Sequence, residues 1–225
     1  MVSPEQYGRW RASPVGSLTE WLEQDAIFGL AGDLRGRRAL DVGCGDGAYS
    51  VLACQRGARV VGVDRSSAML VAARRRAEDC PERIEWCLAA AEALPFGSER
   101  FDVVIAVTAL CFVKNPQCSI QEAARVLRPG GSLIVGELGR YSLWAISRKV
   151  RGWLGSPTWR GVHFWSYGNL RKLIVQSGLR FHSGRSAVYF PPVAPAAQFL
   201  ASYDPALSRL GQFGASFVAL RADKT

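Results

Sequence analysis

The sequence has only two histidines and no C-x-x-C pair, so no metal-binding pattern of recognisable spacing is present. No apolar run approaches the roughly 20 residues that a membrane-spanning helix needs. The first residues, Met1 to Glu5, lack the basic and apolar regions of a secretory signal peptide. We therefore expect a cytoplasmic protein without a metal. We expect its six cysteines to be mainly small buried hydrophobes, with one functional thiol left open.

Charge and composition exclude disorder but leave the class of partner open. The 225 residues are 48% apolar and 21% charged, which suits one globular domain with a full core. The net charge of +9 is compatible with nucleic acid, a membrane surface or an acidic substrate. Arg74 to Arg76 are expected to form a solvated helix face. A second basic group surrounds an aromatic-rich stretch and comprises Arg140, Arg148, Lys149, Arg151 and Arg160.

Residues Leu40 to Gly47 read LDVGCGDG and are the most informative segment of the chain. An apolar strand over 38–42 leads into three alternating glycines, Gly43, Gly45 and Gly47, and then into a helix. Glycines allow a tight turn and let a ligand approach the backbone without meeting a Cβ. A second apolar strand over 59–64 ends in Asp64, and a carboxylate at that point can accept hydrogen bonds from ribose hydroxyls.

The spacing of these glycines differs from that of a dinucleotide site. A pyrophosphate binder has its third glycine three residues after the second, whereas Gly47 follows Gly45 after two. Asp41 and Asp46 flank the turn and would repel a pyrophosphate, but they suit a cofactor with an ammonium and a sulfonium group. The segment resembles the class I methyltransferases that use S-adenosylmethionine (SAM). A nicotinamide-dependent reductase is correspondingly disfavoured.

Two further motifs strengthen the resemblance, which covers residues 7–137. Ala89 to Phe96 match the A-x-A-E-x-L-P-F of the ubiquinone-biosynthesis-like (methyltransferase type 11) branch. Glu122 to Gly131 match its E-x-x-R-V-L-K-P-G-G, which we interpret as a structural turn. The resemblance implies a SAM cofactor, S-adenosylhomocysteine as its product, and no metal. The cofactor-binding residues that it implies are Tyr7, Trp10, Asp41, Gly43, Cys44, Gly45, Gly47, Asp64, Arg65, Met69, Ala91, Glu92, Val107 and Thr108.

The order of elements predicts a doubly wound, mostly parallel α/β sheet of seven strands, with a helical lid insertion. Strands are predicted at 38–42, 59–64, 83–88, 101–107, 132–137, 179–190 and 216–221. Helices are predicted at 48–56, 67–78, 117–127, 167–177 and 194–210, and a first helix starts at Ser17 with a capping box to Glu20. We divide this single domain into a cap helix (1–36), a SAM-binding core (37–137), a lid (138–165) and the rest of the sheet (166–225).

Methyl transfer from SAM needs positioning and desolvation and, for some acceptors, a base. The candidates for such a base are His163, Tyr141 and Cys111, with Glu137 and His182 behind them, and the sequence selects none. The apolar positions of the lid helix, 143, 146, 150, 153 and 154, are predicted to cover the acceptor. Arg148, Lys149 and Arg151 are predicted to point elsewhere.

The acceptor is predicted to be a small molecule. The chain lacks an N-P-P-[YF] motif after the fourth strand, a Pro-Cys nucleophile and a three-acid metal site. Anionic and thiol-bearing acceptors are both compatible with the residues. The alternatives are an RNA or protein methyltransferase that docks through the basic 140–160 surface, and a SAM-binding protein without activity. The sequence leaves the oligomeric state open.

Overall fold

A computed structural model describes residues 4–78, 84–208 and 211–225. The helices are α1 (Pro4–Arg11), α2 (Pro14–Ala31), α3 (Ala48–Gln55), α4 (Ser67–Arg76), α5 (Pro116–Val126), α6 (Leu143–Trp153), α7 (Tyr167–Gln176), α8 (Ala194–Leu200) and α9 (Asp204–Leu207). The strands are β1 (Arg38–Val42), β2 (Arg59–Asp64), β3 (Ile84–Leu88), β4 (Phe101–Val107), β5 (Leu127–Leu138), β6 (Arg180–Ala187) and β7 (Phe217–Asp223).

The strands form one seven-stranded sheet in the order β3-β2-β1-β4-β5-β7-β6. Strands β1 to β5 are parallel, and β7 runs antiparallel to both β5 and β6. The predicted doubly wound, mostly parallel fold is thereby confirmed. The strand order reverses between β1 and β4, so the carboxyl ends of these strands border the crevice in which such sheets bind ligands.

Two buried clusters fill the space on the two faces of the sheet. Helices α2 and α3 cover one face, where Ile27 packs with Ile134 and Phe217. Helices α5 and α7 cover the other, where Leu40 and Leu133 are fully buried. Strand β4 is apolar throughout its interior because both of its faces are covered.

The amino-terminal segment differs from the sequence prediction. A helix, α1, precedes the predicted one, and α2 begins at Pro14 rather than Ser17. Ser13 is its N-cap, since its hydroxyl accepts the Gly16 N–H at 3.1 Å, and proline is favoured in the first helical turn. The buried face of α2 carries Thr19, Glu23 and Ile27, whereas Trp21 is 60% exposed.

The lid helix α6 faces the opposite way from the prediction. Its buried side chains are Trp144, Ala145 and Arg148. The Trp144 Nε1–H donates to the Phe190 carbonyl at 2.8 Å, and the Arg148 guanidinium lies over the Trp144 and Trp159 rings. These contacts satisfy polar groups on the inner face. The apolar stripe is exposed instead, at Leu143, Ile146, Val150, Trp153 and Leu154.

The insertion leaves the sheet and returns to it at one place. Gly139 forms a bridge with Trp165, and the Trp165 N–H donates to the Leu138 carbonyl at 2.8 Å. Ala145 and Phe164 pack on Cys111 and Leu138, which follow β4 and end β5. The segment between these ends therefore lies over the carboxyl edge of the sheet.

Several predicted boundaries also shift. Strand β5 starts at Leu127, which pairs with Phe101 before an irregularity, and regular pairing resumes at Ser132. Strand β6 ends at Ala187, since Val188 adopts a φ of 64° and its N–H bonds Asp204. The predicted helix over 194–210 divides into α8, a 3₁₀ turn and α9, and residues 209–210 lie outside the described residues, as does residue 83. No helix among the described residues is long and apolar enough to cross a membrane.

Candidate functional site

The three glycines of the turn between β1 and α3 have positive φ angles of 70°, 54° and 80°. They differ in what a side chain would meet. A Cβ on Gly43 would lie 2.7 Å from the Ala109 Cβ, and one on Gly47 would lie 2.7 Å from the Trp86 ring. A Cβ on Gly45 would meet nothing within 4 Å. Gly43 and Gly47 are thus required for packing within the protein, whereas Gly45 borders open space where a ligand can approach.

Asp64 stands at the carboxyl end of β2, beside this turn. Its Oδ2 accepts the Gly45 N–H at 2.9 Å, and its Oδ1 accepts the Ser66 N–H at 2.8 Å. Each carboxylate oxygen can accept a further hydrogen bond. Arg65 follows Asp64 directly and is exposed. Met69 lies in the first turn of α4 and is half-buried.

Asp41, at the end of β1, is buried beneath the turn. Its Oδ2 accepts the Ser50 hydroxyl at 2.6 Å. Burial raises the pKa of Asp41 to about 7, and the negative charge of Asp64 adds to the effect. The neighbouring Cys44 is also buried, and burial raises the pKa of its thiol. A cation placed near Asp41 would favour its ionised form.

Asp46 is held by two arginines. Its Oδ2 accepts Arg11 Nη1 at 2.8 Å and Arg76 Nη2 at 2.7 Å, whereas its Oδ1 has no partner among the described residues. Arg74 to Arg76 are exposed, as predicted, and Arg76 in addition pairs with Asp46. The pair with Arg11 joins α1 to the glycine turn, and a single arginine near the start of the chain gave no signal of it.

The predicted aromatic pair of α1 stacks on itself. The Tyr7 and Trp10 rings lie 5.7 Å apart and nearly parallel, and the Arg11 guanidinium lies 4.2 Å from the centre of the Tyr7 ring. Burial raises the pKa of Tyr7, and Arg11 opposes the shift. Trp10 packs against the core cluster beneath α2. Helix α1 is therefore held beside the turn by the Arg11–Asp46 ion pair and by the packing of Trp10 against the core.

The loop after β3 approaches Asp64 through its backbone. The Ala89 N–H donates to the Asp64 carbonyl at 3.1 Å, and Ala91 and Glu92 follow directly. The Glu92 carboxylate accepts the Lys114 N–H at 3.2 Å. Glu122 and Arg125 hold the far end of this loop, because Arg125 donates to the Phe96 carbonyl at 2.7 Å and Glu122 accepts the Leu94 N–H at 2.8 Å. The two family-like motifs thus contact each other.

The loop after β4 is shaped by a buried carboxylate. Glu137 accepts the Leu110 N–H at 2.7 Å and the Cys111 N–H at 3.2 Å, and burial raises its pKa to about 8. Val107 is buried. Thr108 has a φ of 49°, an unfavourable value for a residue with a Cβ, and donates its N–H to Gly136 at 2.7 Å. Backbone strain of this kind is concentrated at functional sites.

The three predicted candidates for a base lie in different environments. Burial strongly raises the pKa of Cys111, whose Sγ bonds the Thr108 carbonyl at 3.3 Å. Tyr141 is 44% exposed and stacks on Phe213. His163 lies against Trp165 with ring centres 4.3 Å apart, and partial burial lowers its pKa, with Arg140 adding to the effect.

A polar cluster that the sequence analysis missed lies under α6. Glu23, Tyr49 and Arg148 are 6%, 8% and 7% exposed and come from α2, α3 and α6. Burial raises the pKa of Glu23 to about 7, and Arg148 opposes this shift. Burial lowers the pKa of Arg148 to about 10. The sequence contained one signal of a buried acid. Glu23 lies four residues after Thr19 and four before Ile27, on the face of α2 that is buried.

Comparisons with known proteins agree with this geometry. Residues 40–135 match the family model described as a methyltransferase domain. The chain is 32% identical over 178 residues to the ubiquinone biosynthesis O-methyltransferase of Ruegeria pomeroyi, covering 75% of this chain and 70% of that protein. An uncharacterised protein of Mycobacterium tuberculosis is 33% identical over 217 residues, 96% of this chain and 70% of its own length.

A solved structure from Thermotoga maritima, described as a SAM-dependent methyltransferase and possible histamine N-methyltransferase, has a TM-score of 0.75. It is 25% identical, and the match covers 98% of this chain and 95% of that one. The chain therefore belongs to the class I SAM-dependent methyltransferases. Within them, its similarity extends to the ubiquinone biosynthesis O-methyltransferases.

The turn fits a SAM cofactor. Open space lies beside Gly45, Asp64 has unused acceptor capacity, and the buried Asp41 would be favoured in its ionised form by a cation. Within the described ranges, no group of three or more His, Cys, Asp or Glu side chains is arranged to hold a metal ion.

Proposed function

We propose that this methyltransferase acts on a small molecule with an oxygen, nitrogen, sulfur or carbon nucleophile. The observation that carries this proposal is the coverage of the carboxyl edge of the sheet. Leu110 and Cys111 after β4 and Leu138 at the end of β5 are at most 5% exposed, and Ala145 and Phe164 of the insertion pack on this region. A folded macromolecule cannot insert a side chain or base there without displacing the insertion, whereas a small acceptor needs only a local opening.

In this proposal, each part of the cofactor has a place among the residues of the first turn and its neighbours. SAM supplies a methyl group already activated by a sulfonium. Asp64 accepts hydrogen bonds from the ribose hydroxyls, and Asp41 faces the ammonium group. The backbone of Ala91 bonds the adenine, with Glu92 beside its amine. Gly43, Cys44, Gly45 and Gly47 form the wall of the turn, and Arg65, Met69, Val107 and Thr108 border the cofactor.

The helices of the amino terminus and the insertion exclude water in this proposal. Helix α1 closes over the cofactor with Tyr7 and Trp10 and is held by the Arg11–Asp46 ion pair. Residues 138–165 form the lid over the acceptor and present Ala145 and Arg148 to it. The enzyme then contributes orientation and desolvation, which direct displacement from a sulfonium requires most.

The proposal is tested with SAM that carries a labelled methyl group. The purified protein is incubated with labelled SAM and either the dialysable or the macromolecular fraction of a cell extract. At subsaturating SAM, we expect label in dialysable products with the wild-type protein and at least about tenfold less with Asp64→Ala. Label in RNA or protein alone would overturn the small-molecule acceptor.

One observation favours a second candidate, an RNA methyltransferase. Arg140, Lys149, Arg151 and Arg160 are all exposed on the insertion. RNA binding through them would weaken steeply as salt is added, because phosphate contacts release counterions. A third candidate, a SAM-binding protein without activity, would bind SAM by calorimetry and transfer no label to either fraction.

A further inference from the structure

Three helices bring buried polar groups together under the lid without pairing them. Glu23 and Arg148 interact electrostatically, yet no ion pair within 4.0 Å joins them in the described parts of the chain. The only hydrogen bond of the Arg148 guanidinium to a described residue is a long one of 3.5 Å, to the Ser216 hydroxyl. The buried Tyr49 hydroxyl has no hydrogen-bond partner among the described residues.

The Tyr49 hydroxyl, unpartnered within the described ranges, destabilises the protein in the absence of a ligand. A buried polar group without a partner loses its hydrogen bonds to water and gains none in return. The Trp144 and Trp159 rings lie 4.8 and 5.0 Å from the Arg148 guanidinium and hold it by cation–π contacts. The guanidinium has five N–H donors, and only Nη1 donates to a described residue, so donors remain for an anionic oxygen.

The cluster lies beside the reacting end of the proposed cofactor site. Ala145, one turn before Arg148 on the buried face of α6, packs with Cys111, which lies three residues after the strained Thr108. Tyr49 stands next to Ser50, the hydrogen-bond partner of Asp41. Glu23 and Arg148 lie outside residues 40–135, which match the family model, so the shared methyltransferase core does not account for them.

We propose that Glu23, Tyr49 and Arg148 form the acceptor subsite, which binds a small neutral acceptor through an acidic hydroxyl, a phenol or an enol. This inference rests on the proposed function. Glu23 accepts the hydroxyl proton, Arg148 pairs with the resulting oxyanion, and the Tyr49 hydroxyl donates a hydrogen bond to the same oxygen.

The signs of the charges select a hydroxyl over an amine. An amine gains positive charge as it is methylated, and Arg148 would oppose that change. A hydroxyl loses its proton to Glu23 and then forms the O–CH3 bond as the C–S bond breaks, with the bonding pair going to sulfur. The sulfonium, the neutral hydroxyl and the carboxylate become a thioether, a methyl ether and a carboxylic acid. Charge and atoms balance, and Glu23 returns the proton to water after product release.

The experiment uses 4-nitrophenol, whose hydroxyl ionises near neutral pH to a coloured form, and nitrobenzene as the matched ring without a hydroxyl. Both are titrated into the protein saturated with S-adenosylhomocysteine. We expect 4-nitrophenol to bind at least about tenfold more tightly than nitrobenzene, and to bind in its coloured, ionised form. Equal affinity for the two compounds, or bound 4-nitrophenol that stays un-ionised, would overturn the subsite.

The variants assign the roles. Arg148→Met keeps the packing between the two tryptophans and should remove the preference for 4-nitrophenol, whereas Arg151→Met, an exposed position of the same helix, should keep it. Tyr49→Phe removes one hydroxyl and should weaken 4-nitrophenol roughly fivefold, which keeps the test decisive if Arg148→Met does not fold. Unchanged affinity in both Arg148→Met and Tyr49→Phe would contradict the proposal.

Proton uptake by Glu23 has its own measurement. In the wild-type protein the proton moves from the ligand to Glu23, so the binding enthalpy should be the same in buffers of different ionisation enthalpy. In Glu23→Gln the proton must go to the buffer, and the enthalpy should then depend on it. Buffer-dependent binding by the wild-type protein would refute this role. The affinity for SAM distinguishes failure of the subsite from failure of the proposed function. A protein that does not bind SAM refutes the proposed function. A protein that binds SAM but does not prefer 4-nitrophenol refutes only the subsite.

Discussion

Replacing Asp64 with alanine tests the cofactor site at its most exposed polar contact. The Asp64 carboxylate accepts the Gly45 and Ser66 N–H groups and retains acceptor capacity on both oxygens. A hydrogen bond to a charged group contributes about 1.5–3 kcal/mol, so the loss of the ribose contact should weaken SAM about 10- to 150-fold. Calorimetric titration with SAM measures this change directly.

The matched control for Asp64→Ala is Asp102, near the amino-terminal end of β4 and away from the glycine turn. Asp102 also accepts a backbone N–H, from Arg38 at 2.8 Å, and pairs with Arg128 at 3.0 Å. Asp102→Ala should lower the melting temperature to a comparable extent and leave the affinity for SAM unchanged. Wild-type affinity in a folded Asp64→Ala protein would refute the reasoning, as would equal losses of affinity in the two variants.

Three further changes have expected outcomes. Gly45→Val should abolish SAM binding in titrations while Gly36→Val, at a φ of 71° with equally open surroundings, should lose similar stability, about 1–2 kcal/mol, and keep the cofactor. The pKa of Glu23 is raised in the folded protein, so the free energy of unfolding should fall as pH rises from the unfolded pKa to about 7. Urea unfolding of Glu23→Gln should lack that pH-dependent component, on the order of 3 kcal/mol. The same dependence of the unfolding free energy on pH in both proteins would contradict it. Replacing 140–160 by a short Gly-Ser connection should remove methyl transfer to the dialysable fraction while SAM affinity stays nearly intact. Full activity without the segment would refute the lid.

The core of the fold was predictable because its signals are local. The runs at 38–42, 59–64 and 101–107 are mostly apolar, and the structure places β1, β2 and β4 there with the same bounds. Ser66 and Ser166 were predictable N-caps, since each accepts a hydrogen bond from a backbone N–H three residues later. Such patterns depend on neighbours in the chain and need no knowledge of tertiary contacts.

The site was predictable only in part, because its remaining contacts join distant segments. Nothing local to Arg11 indicates that it pairs with Asp46, 35 residues away. The periodicity of the lid helix was identified correctly, but the choice of its inner face was wrong. That choice depends on the Phe190 carbonyl and the Trp159 ring, which offer Trp144 and Arg148 partners on the inner side.

Three buried carboxyl groups lie near the carboxyl edge of the sheet and have raised pKa values. Burial raises the pKa of Asp41 and Glu23 to about 7, and that of Glu137 to about 8. Glu137 has backbone N–H partners, so its position is explained by the loop it shapes. Asp41 accepts one side-chain hydrogen bond, from Ser50, and in our proposals Asp41 and Glu23 contact the cofactor and the acceptor. A cationic cofactor beside Asp41 and a proton donor beside Glu23 would each offset the desolvation cost of one buried carboxylate. In this way, the binding of cofactor and of acceptor would both reduce a cost that the ligand-free protein carries.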